Sequence, residues 1–179
     1  MNFRQALVME IGRYELKPPA FHPWRPEFLE VAQEVGDYLK NHIPDIRVEH
    51  VGSTSVDYCG GKGIIDLLIL YSDQAGDFER VREGVDAAGF QHQSGGHIFP
   101  EERPMRVGAV NYQGTEYRFH IHVLQSGCKE ERGLCQFRDD LRQDEEQRAS
   151  YIELKQQILQ RELSDPKDYT SRKSSFFKD

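Results

Sequence analysis

One acidic residue, Asp66, lies inside an apolar run that extends from Ile64 to Tyr71. An ionised carboxylate in such surroundings is costly unless a cation, a hydrogen-bond donor or an open cleft lies beside it. Carboxylate oxygen is also the ligand that Mg²⁺ prefers, so Asp66 is a candidate catalytic residue and metal ligand for phosphoryl chemistry. The alternative is a structural aspartate that pairs with Lys62 or Arg106.

Two histidines, His120 and His122, are two positions apart in the segment YRFHIHVL. In a strand, this spacing places both imidazoles on one face. Together they can bind a cation or a phosphate, or transfer a proton, so both are candidate catalytic residues and metal ligands. An earlier strand offers His50 as a further metal ligand, and also Glu49 if strand twist turns its carboxylate toward Asp66. The alternative for a single histidine is a satisfied core residue.

A glycine-serine pair, Gly52 and Ser53, follows that earlier strand. Glycine allows a tight turn, and the serine hydroxyl and nearby amides can bind a phosphate. A plain strand-to-helix turn capped by Ser53 or Ser55 is the alternative. Cationic and phenolic side chains elsewhere could converge on the same anion, although each alone is equally a solvated or salt-bridged residue. The candidate phosphate-binding residues are Gly52, Ser53, Thr54, Ser55, Lys62, Arg138, Lys155, Tyr169 and Lys173.

The secondary structure that must position these residues follows from the hydrophobic periodicity. Helical spacing of apolar residues predicts a helix after Pro26 and another over 78–88 that ends at Gly89. Alternating and apolar runs predict six strands, at 46–51, 64–71, 90–93, 97–100, 105–112 and 117–124. Further helices are predicted at 1–13, 129–143, 145–162 and 167–177. This order predicts a single α+β domain over residues 1–179 with a helical C-terminal third.

Composition limits the class of protein. The chain has 179 residues, of which 37% are hydrophobic and 30% charged, as is ordinary for one globular domain. A net charge of −7 argues against a protein that coats nucleic acid. No apolar run is long enough to span a membrane, and the charged N-terminus lacks a signal-peptide core, so we expect a cytoplasmic protein. The three cysteines have no zinc-binding spacing, and we expect reduced thiols. The oligomeric state stays open.

Several segments resemble one known family. The blocks EHVGSTSV, KGIIDLLI, FHIHVL, FRDDLR, YIELK and YTSRKSSF occur in the order and spacing of the GrpB family, over about residues 22–177. That family is similar to the polymerase-β-like nucleotidyltransferases. The resemblance implies a nucleotidyltransferase-like mixed sheet flanked by helices. It also implies that Gly52 and Ser53 match the turn that grips a triphosphate, and that Asp66 matches the first metal-binding acid.

The sequence departs from the superfamily pattern at the other two acids. Leu68 occupies the position of the second acid and cannot bind a metal ion. The later strand offers His120 and His122 in place of a carboxylate. The sequence of residues 57–60 also differs from the usual family sequence, in which a proline follows the pair that corresponds to Ser55 and Val56. Hard cations prefer oxygen to imidazole, so Mn²⁺ or Zn²⁺ is a candidate cofactor beside Mg²⁺.

Three functions are compatible with these residues. The first is nucleotidyl or phosphoryl transfer, with Asp66 as metal ligand, Ser53 and Lys62 holding phosphate, and one of the paired histidines as general base or ligand of a softer metal. The second is a non-catalytic ligand-binding module or folding partner that keeps the nucleotide cleft. The third is a metal-dependent hydrolase that adds His50 to Asp66 and the paired histidines. The expected partner is a small phosphorylated or nucleotide ligand, without membrane or nucleic acid.

Overall fold

The computed structural model describes residues 9–94 and 98–162. In these ranges there are five strands: β1 (Arg47–Val51), β2 (Ile64–Tyr71), β3 (Gln91–His92), β4 (Met105–Tyr112) and β5 (Thr115–Gln125). The helices are α1 (Glu27–His42), α2 (Asp77–Ala87), α3 (Lys129–Gln143) and α4 (Glu145–Glu162). A single 3₁₀ turn, Ser53–Ser55, connects β1 to the segment before β2.

The strands form one mixed sheet in the order β1-β2-β5-β4-β3. Strands β2 and β5 are parallel, and every other neighbouring pair is antiparallel. Asp66 is in register with Val51 on one side and with His120 on the other. Leu68 is in register with His122. Because paired residues point to the same face, this register places Asp66 and both histidines on one side of the sheet.

The opposite side, which we call the packed face, carries the main core. Ile65, Leu67 and Ile69 of β2 point to it and are fully buried under α1 and α2. Helix α1 begins after Pro26 and carries Glu27 and Glu30 in its first turn, where the helix dipole favours acids. Its apolar residues recur at helical spacing and complete this core: Phe28, Val31, Ala32, Val35 and Leu39.

The side that carries Asp66, which we call the site face, is only partly covered. Leu68, Leu70 and Leu124 pack there against α3. The contacts are Leu134 and Cys135 of that helix and Cys128 at its N-cap. Arg138 of α3 fixes the helix to β1, because its guanidinium donates to the His50 carbonyl at 3.1 Å. Helix α3 thus covers the part of the site face beyond Asp66, whose side chain stays 29% exposed.

Most predicted elements are confirmed, and the fold class with them. The helix predicted at 1–13 is wrong in its described part, since residues 9–13 are extended and Gly12 forms a bridge with Ala109 of β4. The strand predicted at 97–100 is also wrong over 98–100, which are irregular. Residues 1–8, position 97 and the predicted helix 167–177 lie outside the described residues. The three cysteines, Cys59, Cys128 and Cys135, are free thiols. Within the described ranges, every helix is too short or too polar to cross a membrane.

Candidate functional site

Asp66, His120 and His122 form a compact polar cluster on the site face. His120 Nδ1 lies 3.2 Å from Asp66 Oδ1, and His122 Nε2 lies 3.8 Å from the same oxygen. One ligand atom from each side chain lies within 4.8 Å of the other two. The parallel register of β2 and β5 produces this arrangement directly. It pairs His120 with Asp66 and places His122 two residues further along β5, on the same face. The convergence predicted for these three residues is therefore present.

The charges in this cluster follow from burial and hydrogen bonding. Burial alone raises the pKa of Asp66, but the imidazoles of His120 and His122 outweigh it and hold that pKa well below its ordinary value. Burial lowers the pKa of His122, with Asp66 opposing and Arg103 adding to the decrease. At neutral pH the cluster therefore contains an ionised carboxylate beside a neutral His122 imidazole, a combination that can receive a cation.

Gly52 brings the turn after β1 against the Asp66 carboxylate. Its φ angle is +74°, a left-handed value that favours glycine. A Cβ atom at this position would lie 2.5 Å from Asp66 Oδ2, which is closer than the Cβ atom of a real residue comes to another heavy atom. The Ser55 hydroxyl donates to the Gly52 carbonyl at 2.6 Å and stabilises the turn. The glycine-serine pair and the acid are thus neighbours in space, as the sequence predicts.

Ser53 and Lys155 meet beside the same turn. A Cβ atom at Gly61 would lie 2.6 Å from Ser53 Oγ and 3.0 Å from Lys155 Nζ. The Lys155 ammonium is buried, donates to the Gly60 carbonyl, and lies 4.3 Å from the centre of the Tyr151 ring. Helix α4 therefore places a buried cation on the same glycine, Gly61, that the serine of the turn borders, from about a hundred residues away in the sequence. These two predicted phosphate-binding residues are brought together.

Arg138 and Glu49 contact each other and lie outside the cluster. The Arg138 guanidinium donates to Glu49 Oε2 at 2.9 Å and to Asp139 Oδ1 at 2.8 Å. The other Glu49 oxygen accepts from Arg47 at 2.9 Å. The hydrogen bond to Asp139 is the main reason why the pKa of Arg138 is raised. The structure thus places the predicted metal ligand Glu49 on the site face, with its carboxylate held by two arginines.

His50 lies on the packed face, opposite the cluster, because it pairs with Leu67 rather than with Asp66. Its Nε2 lies 2.9 Å from Thr54 Oγ1, and the Thr54 hydroxyl donates to the Ile64 carbonyl at 3.3 Å. The imidazole therefore donates to the threonine. Burial lowers the pKa of His50 to about 4, although Asp66 opposes this. The structure separates this predicted metal ligand from the other histidines.

The remaining predicted residues are placed as follows. Thr54 and Ser55 are buried, and their hydroxyls donate to backbone carbonyls of the turn region. Lys62 is half-buried between Gly61 and Gly63. Tyr169 and Lys173 lie outside the described residues. Arg106, considered above as a structural partner of Asp66, instead binds Asp86 and Glu101 on the packed face.

Two residues of the site were missed by the sequence reasoning. The Tyr14 hydroxyl lies 3.2 Å from His120 Nε2, and burial raises the pKa of this phenol, so it stays protonated at neutral pH. Arg103 donates to His122 Nδ1 at 2.9 Å. Neither residue belongs to a periodic pattern. Tyr14 reaches the cluster because its amide binds the Gln91 side chain at 3.0 Å, a contact without sequence signal.

The donor set of the cluster fits one transition-metal ion better than a pair of magnesium ions. Two imidazole nitrogens and one carboxylate oxygen are ligands typical of zinc, iron and manganese sites with open positions. A second carboxylate is missing, because Leu68 occupies its position and is fully buried in an apolar cluster. Asp66 and His120 are free of cationic neighbours within hydrogen-bonding distance in the described residues. His122 is not, because Arg103 donates to it.

A separate surface cavity of about 480 Å³ lies next to the loop that follows the turn. It is lined by Tyr58, Arg142 and Arg148, among others, and Asp66 does not line it. The Tyr58 side chain is 76% exposed, and its φ angle of +63° is uncommon for an aromatic residue. This cavity is an alternative location for a ligand, but no histidine is among the residues that line it.

Comparison with known proteins decides the family. The profile described as GrpB protein matches residues 18–179. The chain belongs to the GrpB family. A UPF0157 protein from Streptomyces coelicolor is 28% identical over 170 residues, which are 95% of this chain and 81% of that protein. Another from Halalkalibacterium halodurans is 29% identical over 152 residues, which are 85% of this chain and 73% of that protein.

One solved structure agrees with the fold. The crystal structure of the conserved protein GrpB from Enterococcus faecalis matches with a TM-score of 0.66 at 24% identity, and covers 89% of this chain and 93% of that one. A slighter likeness links the chain to Cid1, described as an RNA terminal uridylyl transferase, with a TM-score of 0.46 at 14% identity. That match covers 70% of this chain and 40% of Cid1. The GrpB match confirms the mixed sheet flanked by helices.

Proposed function

We propose that the site face of this GrpB protein binds a small phosphorylated, nucleotide-like ligand together with one divalent transition-metal ion, and supports nucleotidyl or phosphoryl transfer. One observation carries the proposal. The parallel register of β2 and β5 gathers Asp66, His120 and His122 on a partly exposed face, directly beside the Gly52 turn. A cluster of a carboxylate and two imidazoles in a half-open position is a costly arrangement for a structural role alone.

Asp66 Oδ1, His120 Nδ1 and His122 Nε2 are the atoms that would hold the metal ion. When bound, such an ion neutralises phosphate charge as a Lewis acid. Asp66 contributes the formal negative charge, since its pKa is held low by the two imidazoles. The Tyr14 hydroxyl orients His120, because it can accept the Nε2 proton while Nδ1 faces Asp66. Two imidazoles favour Mn²⁺ or Zn²⁺ over Mg²⁺.

The phosphate groups of the ligand would lie next to this cluster, along the turn. Ser53 offers a hydroxyl there, and the buried Lys155 ammonium adds a positive charge. Lys62, two positions before β2, is kept as a further candidate for phosphate binding. We assign Arg138 to packing instead, because Glu49 and Asp139 already accept its hydrogen bonds.

A non-catalytic binding module is the second candidate, and Leu68 favours it. In a two-metal phosphoryl transfer, both attacking and leaving oxygens are clamped, which requires bridging carboxylates. Leu68 is fully buried and supplies no ligand oxygen, so Asp66 is the one carboxylate that the cluster offers to a metal ion. Release of pyrophosphate, by nucleotidyl transfer, or of nucleoside diphosphate, by phosphoryl transfer, from a nucleoside triphosphate would support catalysis. Saturable binding without turnover would support the binding module.

Thermal unfolding tests the ligand site itself. Wild-type protein is heated with ATP, UTP or pyrophosphate, each with Mn²⁺, Zn²⁺ or Mg²⁺. We expect at least one combination with Mn²⁺ or Zn²⁺ to raise Tm by about 5 °C at a hundredfold excess over Kd. The variant Asp66→Asn should lose this increase, and Asp73→Asn, an exposed control, should keep it. The proposal fails if no combination raises Tm, or if Asp66→Asn responds like the wild type.

A further inference from the structure

We infer that Arg103 is a positioning residue that fixes the tautomer of His122 and competes with a metal ion for this histidine. The Arg103 guanidinium lies 2.9 Å from His122 Nδ1. A guanidinium has only N–H donors, so Nδ1 must be the unprotonated nitrogen of the imidazole. The proton of the neutral ring is then on Nε2, the atom that faces Asp66 Oδ1 at 3.8 Å.

Arg103 is held in place from three directions. Its Nε donates to Glu130 Oε2 at 3.0 Å, and a second nitrogen donates to the other oxygen of the same carboxylate. Its guanidinium also lies 4.3 Å from the centre of the Phe99 ring. The following residue, Pro104, is anchored to β5, because its carbonyl accepts from the Val123 amide at 3.1 Å. The Arg103 side chain, 21% exposed, is therefore built into the site rather than free in solvent.

This arrangement is the reverse of the one that a metal ligand needs. A histidine that binds a metal through Nε2 offers the lone pair of that atom and donates its Nδ1 proton to an acceptor. Arg103 presents donors to Nδ1 and so keeps the proton on Nε2. His120 differs, because its outer nitrogen meets the Tyr14 hydroxyl, which can donate or accept. The tautomer follows from the geometry alone, whereas the competition also rests on the proposed function.

Two variants distinguish the effect of the Arg103–His122 contact from the effect of losing one positive charge on the site face. Arg103→Met removes the guanidinium that contacts His122. Arg118→Met removes an equal charge from the same face, where the guanidinium lies 5.8 Å from the centre of the Tyr14 ring. The tautomer of His122 is measured in metal-free protein by long-range ¹H–¹⁵N NMR of the imidazoles. Metal affinity is measured by titration with Co²⁺, followed through its visible absorption.

In the wild type and in Arg118→Met, we expect His122 to carry its proton on Nε2. In Arg103→Met, we expect that preference to weaken, with Asp66 alone still favouring it, and Co²⁺ affinity to rise at least about tenfold. Arg118→Met should change the affinity by less than about threefold, because this guanidinium lies over the Tyr14 ring and its charge is screened by solvent. If Arg103→Met is unfolded by circular dichroism, Glu130→Ala removes both carboxylate acceptors that hold Arg103, and a weaker Nε2 preference of His122 in that variant is the expected result.

The positioning role is overturned if wild-type His122 carries its proton on Nδ1, or if Arg103→Met keeps the wild-type tautomer preference undiminished. The competition is overturned if Arg103→Met binds Co²⁺ no more tightly than Arg118→Met. If the tautomer depends on Arg103 but neither variant nor the wild type binds Co²⁺, Mn²⁺ or Zn²⁺, the positioning role stands. The metal ion of the proposed function then fails, together with the competition.

Discussion

The backbone of Gly52 and the carboxylate of Asp66 are in contact, with space for a hydrogen atom and nothing larger between them. A Cβ atom on Gly52 would lie 2.5 Å from Asp66 Oδ2 and 3.4 Å from the carboxylate carbon. The residue at position 52 therefore sets how the turn after β1 meets the acid of β2. A phosphate bound along that turn would be adjacent to any cation that Asp66 holds.

Replacement of Gly52 by alanine tests this contact. We expect Gly52→Ala to lower the free energy of unfolding by about 2–4 kcal/mol, because a left-handed φ angle and a collision with Asp66 add together. Gly114→Ala is the matched control, since Gly114 has a φ angle of +80° and nothing within 4 Å of its would-be Cβ. That variant should cost about 1 kcal/mol. Urea unfolding measures both, and equal losses would show that the carboxylate does not press on the glycine.

Leu68→Asp places an acid two residues after Asp66, as in the nucleotidyltransferases that the sequence resembles. We expect a loss of at least about 3 kcal/mol of unfolding free energy, because a carboxylate replaces a fully buried leucine. We also expect no gain in the Tm response to Mg²⁺. Leu68→Asn, of equal size and uncharged, separates the cost of the charge from the lost apolar contacts. A stable Leu68→Asp protein with a new Mg²⁺ response would show that the strand can still hold two ions.

His50 makes stability depend on pH. Its pKa is lowered by burial to about 4, below the ordinary value of 6.5. In that interval the unfolded chain binds more protons than the folded one, so stability is full above pH 6.5 and declines as pH falls toward 4. The decline attributable to His50 is at most about 3 kcal/mol.

His50→Gln should flatten this decline, since a glutamine amide can still donate to Thr54 but does not titrate. Urea unfolding at pH 7, 5.5 and 4 measures how the free energy of unfolding declines with pH in each protein. The exposed histidine His92, replaced by glutamine, serves as the control and should leave the decline in place. An unchanged pH dependence in His50→Gln would mean that this imidazole is hydrated in the folded state.

Arg106 is the most buried charged residue of the packed face, with 2% of its side chain exposed. Asp86 and Glu101 both accept from its guanidinium. We expect Asp86→Ala to cost about 1–3 kcal/mol, because it leaves the buried cation with one partner. Glu116→Ala breaks the exposed pair with Lys17 and should cost less than about 1 kcal/mol. Chemical unfolding compares them, and equal costs would mean that water solvates Arg106 once Asp86 is removed.

The sequence was sufficient for the residues whose position depends on local periodicity. The face of Asp66 follows from alternation within β2, and the common face of His120 and His122 follows from their spacing within β5. The sequence was not sufficient for His50, whose face depends on the register between β1 and β2. Val51, not His50, pairs with Asp66. A shift of one residue in that register reverses the assignment, and no local pattern encodes it.

The sequence also could not predict the contacts between segments that are far apart in the chain. Arg138 resembles a phosphate ligand in the sequence, but its hydrogen bonds go to Glu49, 89 positions away, and to the adjacent Asp139. Tyr14 reaches His120 across 106 positions. Such contacts depend on how the elements pack, and the sequence predicted the approach of Lys155 to the Gly61 side of Ser53 only as a general convergence of candidate phosphate-binding residues.

The central claim is that Asp66 and the paired histidines hold a divalent ion and a phosphorylated ligand beside Gly52. A crystal structure of the wild-type protein soaked with Mn²⁺ and a non-hydrolysable ATP analogue tests it most directly. The account predicts a manganese anomalous peak about 2.0–2.3 Å from Asp66 Oδ1, His120 Nδ1 and His122 Nε2, with phosphate oxygens in hydrogen-bonding contact with Ser53. An absent peak at the cluster, or a nucleotide bound in the cavity beside Tyr58, would contradict it.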